Sequence, residues 1–175
     1  MYGESGSLFY FMIIKSVEPH LLSCPLSEPA VYPFHGGCRT VFKRDAMVVR
    51  VVTNDGQVGY APGPASEYVV QKIEKDISPY LKGRNLFDPS TFVQDMIRQH
   101  GDGIWSAAGA VEVALFDLWG QANQCSITDF FGGRKQETIT CYGSAGMYQS
   151  AESYAEEAAA VCELGFEAYK FRPAL

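Results

Sequence analysis

Two cationic side chains near the end of the chain carry the clearest chemical signal in the sequence. Lys170 and Arg172 lie two residues apart within residues 167–172, whose alternating pattern predicts a β-strand. Side chains alternate between the two faces of a strand, so the two cations share one face. Because a buried, unpaired charge is costly, we expect this face to meet water or an anionic ligand. A solvated face with ordinary surface charges is the competing interpretation.

The strand that carries these cations is predicted to end a βαβ unit. Residues 138–142 have the pattern of a strand, residues 150–164 that of a helix, and residues 167–172 that of a second strand. We expect a capping box between Ser153 and Glu156 and a helix stop at Gly165. Such a unit implies a parallel sheet. If the sheet closes into a barrel, one face of the strand points inward, and its carboxyl end is where active sites are built.

The preceding part of the chain predicts a small antiparallel sheet. Residues 12–22, 46–53 and 57–61 have strand patterns, and the last two meet at Asn54-Asp55-Gly56, a strong hairpin signal. Residues 23–45 contain three prolines and several aromatic residues, and we predict a long loop that acts as a lid or wall. Residues 1–11 are predicted to be a loose leader outside the fold.

Three helices are predicted to follow the antiparallel strands. The first begins at a serine cap and is closed by a proline, and the second begins at an Asp-Pro pair. The third is apolar on nearly every face, with Trp105 and Trp119 among its apolar positions, so it should be buried on most sides. The predicted limits are Ser66 to Pro79, Asp88 to His100, and Ile104 to Gln121.

Composition and charge exclude several classes of partner. The chain has 14 Lys and Arg against 20 Asp and Glu, a net charge of −6, and lacks a basic run, which argues against nucleic acid and anionic membranes. Hydrophobic residues make up 47 %, which favours a folded chain. The 5 cysteines are an odd number without a C-x-x-C pair, which favours a reducing cytoplasm over a disulfide framework. The apolar run at residues 8–14 is too short to span a bilayer.

Three stretches, taken in order, carry a family resemblance. They are the hairpin at residues 45–60, the helix Ala110-Val111-Glu112-Val113-Ala114-Leu115-Phe116-Asp117-Leu118-Trp119-Gly120, and Phe130-Phe131-Gly132-Gly133 before the βαβ unit. Together they resemble the mandelate racemase and muconate lactonizing branch of the enolase superfamily, over residues 12–175. Lys170-Phe171-Arg172 falls where that branch carries its K-x-K pattern.

The resemblance implies a fold class and a domain division. It implies an α+β N-terminal capping domain, an antiparallel meander plus helices, at residues 12–137. The first β-α-β unit of a truncated TIM-like α/β barrel follows at residues 138–175, since a complete barrel needs eight such units. In the family the Mg²⁺ carboxylates come from later strands, so we expect the magnesium ligands to be absent from this chain.

The resemblance also implies a reaction and a set of site residues. The shared chemistry is abstraction of the proton α to a carboxylate, with Mg²⁺ stabilising the enediolate. Lys170 and Arg172 would be the catalytic residues. Residues 23–44 would form a mobile specificity loop, with residues 62–66 as a shorter second loop. The substrate contacts implied are Tyr32, His35 and Arg39, although His35 also fits an ordinary loop histidine.

The sequence departs from the family pattern at Arg172. Many members have a lysine base there, whereas an arginine stays protonated near neutral pH and suits a carboxylate or hydroxyl clamp. This favours an acid-sugar dehydratase-like lyase, with its base on another strand, as the activity of the full-length protein. The full-length enzyme is expected to be a homo-oligomer that acts on a small carboxylate, and the fragment alone is expected to be inactive.

Three alternatives stay open at this point. The full-length protein could be a racemase or cycloisomerase of the same branch, or the chain could be a non-enzymatic binding or dimerisation module that has lost the barrel. An unrelated α+β fold would instead pair residues 167–172 antiparallel with the N-terminal hairpin. Glu112 and Asp117 are predicted to be structural, satisfied by backbone or basic neighbours.

Overall fold

The Asp-Gly turn joins two antiparallel strands as predicted. In the computed structural model, which describes residues 12–34, 37–85, 89–147 and 150–173, strand β2 (Gly37–Thr53) pairs with β3 (Val58–Gly63). Gly56 has a φ of +89°, which glycine adopts at little cost, and its N–H donates to the Thr53 carbonyl at 3.1 Å. Strand β1 (Ile14–Phe34) completes a sheet with the order β1-β2-β3.

The long loop predicted for residues 23–45 is wrong. β1 continues to Phe34 and β2 already begins at Gly37, so Cys24–Arg44 forms an extension of both strands, here called the arm. β1 is the edge strand of its sheet, where the missing N–H of a proline need not break the ladder. The prolines that indicated a loop are therefore compatible with a strand. β1 also begins at Ile14 rather than at the predicted Met12.

The first helical segment does not end at Pro79. Helix α1 (Glu67–Lys72) passes into a π-helical turn (Ile73–Ile77) and then into α2 (Ser78–Leu81), which contains the proline. The wide turn before Pro79 replaces the regular bonding pattern that a proline would disrupt within an α-helix. Ile73, Ile77 and Leu81 are all fully buried, and this burial on one side favours continuation of the segment.

The second helical segment ends where the sequence predicted. A 3₁₀ turn (Pro89–Thr91) leads into α3 (Phe92–His100), and Gly101 follows with a φ of +74°. The proposed cap, Asp88, lies outside the described residues. α3 buries Phe92, Val93 and Met96 and exposes its other side, as expected of an amphipathic surface helix.

A long apolar helix is the central packing element, as predicted. After a 3₁₀ turn (Asp102–Ile104), α4 (Trp105–Asn123) buries Ala107, Ala108, Ala110, Val111, Ala114, Leu115, Leu118 and Gly120. β3 lies directly against it: a Cβ added to Gly59 would lie 2.2 Å from the Ala114 carbonyl oxygen. Trp105, one of the apolar positions of the predicted helix, is the first residue of α4 and is 61 % exposed.

The C-terminal segment is a βαβ unit with a shifted first strand. After the short helix α5 (Ile127–Phe130), β4 (Gly143–Met147), α6 (Ala151–Glu163) and β5 (Tyr169–Arg172) follow, and β4 pairs parallel with β5. The strand predicted at residues 138–142 is wrong. Ile139, a strong strand former, is 80 % exposed there, whereas the glycine-rich residues 143–147 form the strand because glycine allows the close packing described below.

The ends of α6 confirm one prediction and correct another. Gly165 stops the helix with a φ of +88°, and its N–H donates to the Cys162 carbonyl at 2.9 Å. The cap, however, is Ser150, whose hydroxyl accepts from the Ser153 N–H at 3.2 Å, so the predicted Ser153–Glu156 capping box is wrong. The parallel pairing of β5 also excludes the alternative in which residues 167–172 pair antiparallel with the N-terminal hairpin.

The predicted fold class is confirmed: an antiparallel meander with helices, then a parallel βαβ unit. The contacts divide the described residues into two compact units, one of residues 12–23 and Asp45–Gly133, the other of Cys24–Arg44 and residues 134–173. The domain limits placed at residues 11, 137 and 138 stay predictions. Among the described residues, every helix is too short or too polar to cross a membrane.

Two glycine substitutions test the contact between β3 and α4. Gly59→Ala should lower the free energy of unfolding by about 1–3 kcal/mol or more, because its methyl group would meet backbone atoms of α4. Gly109→Ala, within α4 and with open space around its Cβ position, should raise it by about 0.5–1 kcal/mol. Urea unfolding of both variants measures the difference. Equal effects of the two substitutions would contradict the proposed close contact.

Candidate active site

The strand that carries Lys170 and Arg172 has two chemically different faces. Tyr169 pairs with Gly143 of β4, and Lys170 pairs with Ser144. A Cβ added to Gly143 would lie 2.4 Å from Val161 Cγ1 of α6, and the Tyr169 hydroxyl donates to Glu157 Oε2 of α6 at 2.5 Å. α6 therefore covers the face of Tyr169, and alternation directs Lys170 and Arg172 to the opposite face.

The face turned toward α6 is aromatic. The rings of Tyr169 and Phe171 stack with centroids 5.8 Å apart, and the Tyr154 ring lies 4.9 Å from that of Phe171. Desolvation, followed by the hydrogen bond to Glu157, raises the pKa of Tyr169 to about 12. Tyr169 is therefore a neutral hydrogen-bond donor at physiological pH.

The opposite face, here called the cationic face, contains Ser144, Lys170 and Arg172. Lys170 is half-buried and Arg172 is exposed. In the part of the chain that the structure describes, neither residue forms an ion pair with an Asp or Glu side chain. The arrangement can bind an anionic group with two cations and a hydroxyl donor.

Ser144 is a site candidate that the sequence analysis missed. Its Cα position is the register partner of Lys170 on the neighbouring strand, so the two side chains lie side by side on the same face. The sequence analysis placed the first strand at residues 138–142 and so left Ser144 outside it. The signal that could have placed Ser144 in a strand is the strand-like pattern that ends near Met147. The glycines at positions 143 and 146 obscured this pattern.

The arm carries the predicted substrate contacts. Tyr32 is half-buried, and its hydroxyl accepts from Arg44 Nη2 at 2.9 Å, while the Arg44 guanidinium lies 5.4 Å from the Tyr32 ring centroid. Arg39 is exposed, and His35 lies outside the described residues. The arm belongs to the same compact unit as β5, so Tyr32 and Arg39 share a unit with Lys170 and Arg172. Their roles as substrate contacts stay predictions.

The cationic face does not fit a magnesium site. Mg²⁺ takes oxygen ligands, chiefly carboxylates, whereas this face presents an ammonium group, a guanidinium group and one hydroxyl. No cluster of three or more His, Cys, Asp or Glu side chains that could hold a metal ion occurs within residues 12–34, 37–85, 89–147 and 150–173. We therefore assign no magnesium ligand to the described residues.

The two acidic residues that were predicted to be structural, Asp117 and Glu112 of α4, differ in their surroundings. Asp117 Oδ2 accepts from the Tyr60 backbone N–H at 2.8 Å and from Gln121 Nε2 at 3.0 Å, which ties β3 to α4 and confirms that a backbone group satisfies Asp117. Asp117 also lines a shallow cavity of about 470 Å³, together with Gly120, Gln121, Gln124, Cys125, Ser126 and Ile127. None of the predicted site residues lines this cavity. The prediction that a backbone group or a basic neighbour satisfies Glu112 is wrong: within the described residues its side chain has neither a hydrogen bond nor an ion pair, and desolvation raises its pKa above the usual range.

Comparison with known proteins identifies the family of this chain. Residues 22–132 match the family described as "Mandelate racemase / muconate lactonizing enzyme, N-terminal domain". The chain is 27 % identical over 169 residues to the L-Ala-D/L-Glu epimerase of Bacillus subtilis, covering 92 % of this chain and 44 % of the epimerase. It is 27 % identical over 138 residues to the L-rhamnonate dehydratase of Saccharopolyspora erythraea, covering 74 % of this chain and 35 % of that enzyme.

Solved structures show the same likeness. A member of the enolase superfamily from Polaromonas sp. JS666 superimposes with a TM-score of 0.75 at 28 % identity, covering 92 % of this chain and 44 % of that one. The fold and these matches thus define a protein of the enolase superfamily. The chain belongs to the mandelate racemase / muconate lactonizing enzyme family and contains its N-terminal domain. It spans less than half the length of these relatives.

Glu112 provides a test of the electrostatics of α4. Burial raises the pKa of the Glu112 carboxyl group above its ordinary value of 4.5. The folded state therefore binds the carboxyl proton more tightly than the unfolded state does. The free energy of unfolding therefore decreases as the pH rises above the ordinary carboxyl pKa, and it stays lower at neutral pH. Glu112→Gln should raise the free energy of unfolding by roughly half a kcal/mol near pH 7, and by less near pH 4.

Glu74→Gln is the matched control, because Glu74 is an exposed glutamate of the same unit. Chemical unfolding of both variants at the two pH values measures the effect. A Glu112→Gln variant that is less stable than the native chain at neutral pH would contradict the prediction and indicate a favourable interaction of the carboxylate.

Proposed function

We propose that this chain forms the N-terminal part of a lyase that dehydrates an acid sugar after abstraction of the proton α to its carboxylate. The observation that carries the proposal is the cationic face, on which Ser144, Lys170 and Arg172 lie together without an acidic partner among the described residues. Two fixed cations and a hydroxyl suit a substrate that combines a carboxylate with hydroxyl groups. The relatives that match this chain include epimerases, racemases, dehydratases and cycloisomerases.

Each residue of the face has a separate role in this proposal. Lys170 and Ser144 bind the substrate carboxylate, and the positive charge of Lys170 favours the charge that builds up on its oxygens as the α-proton leaves. Arg172 holds the carboxylate or a neighbouring hydroxyl with its planar donors, which fixes the orientation of the substrate. A protonated guanidinium does not accept the α-proton, so the base comes from another part of the enzyme.

A racemase or cycloisomerase of the same branch is the second candidate. The likeness to epimerases supports it, because the first-named relative shares 27 % identity over 92 % of this chain. A racemase needs proton transfer on both faces of the reacting carbon, however, and an arginine in place of a lysine base makes this strand a poor source of one of the two bases. Arg172 therefore favours the dehydratase.

The active enzyme in this proposal is longer than the chain, and the chain alone is inactive. In this proposal the remaining barrel strands supply the base and the magnesium ligands, since no cluster of His, Cys, Asp or Glu that could hold a metal ion occurs among the described residues. A non-enzymatic module would be expected to have polar residues where Leu164 is 76 % exposed and Phe171 is 46 % exposed. We also propose a homo-oligomer, without nucleic-acid or membrane partners, in the cytoplasm, where the free thiols of all 5 cysteines would stay reduced.

Arg172 variants of the full-length enzyme test the proposed clamp. Arg172→Ala should raise KM for an acid sugar such as gluconate by about tenfold or more, because a charge-assisted hydrogen bond is lost. Exchange of the α-proton in deuterated water, measured at saturating substrate, should fall much less. Arg172→Lys keeps the charge and serves as the matched control.

The opposite pattern, an unchanged KM with loss of proton exchange, would show that Arg172 takes part in proton transfer. That result would contradict the proposed role of Arg172 in holding the substrate. The 175-residue chain should show no exchange under the same conditions. Measurable exchange by the chain alone would contradict the proposal that the base lies on later strands.

A further inference from the structure

The end of β5 is held unevenly by its partner strand. Tyr169 and Lys170 pair in regular register with Gly143 and Ser144. The register then shifts, so that Arg172 pairs with Met147 and Phe171 lies within the irregularity. A ladder with such an irregularity fixes the strand poorly at the position where Arg172 projects from it.

Contacts with α6 hold the end of β5, where the pairing with β4 is irregular. The hydroxyl of Tyr154 donates to the backbone carbonyl oxygen of Arg172, and the Tyr154 ring packs against Phe171. These two contacts fall on the residues where the register shifts. One residue of α6 therefore contacts β5 at Phe171, within the irregularity, and at Arg172, directly after it.

Gly146 of β4 lies so close to Tyr154 and its neighbours that a larger residue would not fit there. A Cβ added to Gly146 would lie 2.4 Å from the Tyr169 hydroxyl, 2.7 Å from Phe171 Cβ and 3.0 Å from Tyr154 Cε1. Four residues thus pack together, and they are here called the aromatic clamp: Gly146, Tyr154, Tyr169 and Phe171. Because side chains alternate along the strand, holding Phe171 on one face also fixes the direction of Lys170 and Arg172 on the other.

We propose that Tyr154 is a positioning residue for the cationic face: through the Arg172 carbonyl and the Phe171 ring it sets the rotation of β5 and thereby aims Lys170 and Arg172 at the substrate carboxylate. The inference rests on the proposed function, since it assigns the support of the same site. The substrate does not touch Tyr154, which lies on the opposite side of the strand. Its hydroxyl acts on the cationic face through the backbone of Arg172.

Tyr154→Phe tests this role because it removes the hydroxyl and keeps the ring. The experiment uses the full 175-residue chain labelled with ¹³C and ¹⁵N, with D-gluconate as the carboxylate probe. Two quantities are measured: the carbonyl carbon resonance of Arg172, which responds to loss of its hydrogen bond, and the affinity for gluconate from shifts at Ser144, Lys170 and Arg172. Tyr142→Phe removes a hydroxyl from a 56 % exposed tyrosine and is the matched control.

We expect Tyr154→Phe to move the Arg172 carbonyl resonance and to weaken gluconate binding about fivefold, the ordinary effect of one lost hydrogen bond. Tyr142→Phe should change neither. Phe171→Leu, which keeps the hydroxyl bond and removes the ring contact, is a second variant. It should also weaken binding, while the Arg172 carbonyl resonance stays nearer its native position.

Two results overturn the positioning role. One is an unchanged Arg172 carbonyl resonance in Tyr154→Phe, and the other is a moved resonance with native gluconate affinity. If the native chain itself shows no gluconate-dependent shifts on the cationic face, this outcome counts against the proposed function. The carbonyl resonance then still decides whether Tyr154 holds the strand, so the two failures are distinguishable.

Discussion

In both units a strand lies against a helix at a distance that only glycine allows. In the first unit the backbone of β3 at Gly59 approaches the Ala114 carbonyl of α4, and Gly63 leaves room for the Met47 side chain. In the second unit Gly143 lies beneath Val161 of α6. Each contact fixes which face of its strand is covered. The direction of Lys170 and Arg172 depends on the second of these contacts, because their face is the one that α6 does not cover.

The sequence predicted those elements whose structure is decided locally. The Asp-Gly turn at residues 54–56 has its own backbone preference, and the apolar residues of α4 leave few faces for solvent, so both were found. The predictions failed where tertiary contacts override local preference. The prolines of the arm are accommodated on an edge strand, Pro79 follows a π-helical turn, and β4 is rich in glycine because α6 and β5 pack against it. None of these partners is visible in the local sequence.

In the candidate site too, the sequence predicted the features that are decided locally and missed those that depend on tertiary contacts. Alternation alone placed Lys170 and Arg172 on one face, because a two-residue period needs no knowledge of the partner strand. Ser144 requires the register of β4 against β5, and Tyr154 requires the position of α6 over the end of β5, so neither was found. The tyrosine hydroxyls illustrate the limit. In the sequence, Tyr154 and Tyr169 look like ordinary apolar residues of a helix and a strand. Only the folded chain shows which polar group each hydroxyl contacts.

Under the proposed function, an arginine rather than a lysine at position 172 changes what the cationic face contributes to catalysis. A lysine beside another cation has a lowered pKa and can exchange its proton with the substrate, whereas a guanidinium keeps its charge throughout the reaction. A permanent charge stabilises a carboxylate before and during proton abstraction, so its contribution to rate depends on how much the negative charge on the carboxylate oxygens grows. This contribution to the rate requires hydrogen-bond donors that already point at the carboxylate oxygens. Under the proposed function, a rigid strand end is therefore worth more to an enzyme with Arg172 than to one with a lysine base, and we propose that the aromatic clamp on the far side of β5 provides this rigidity.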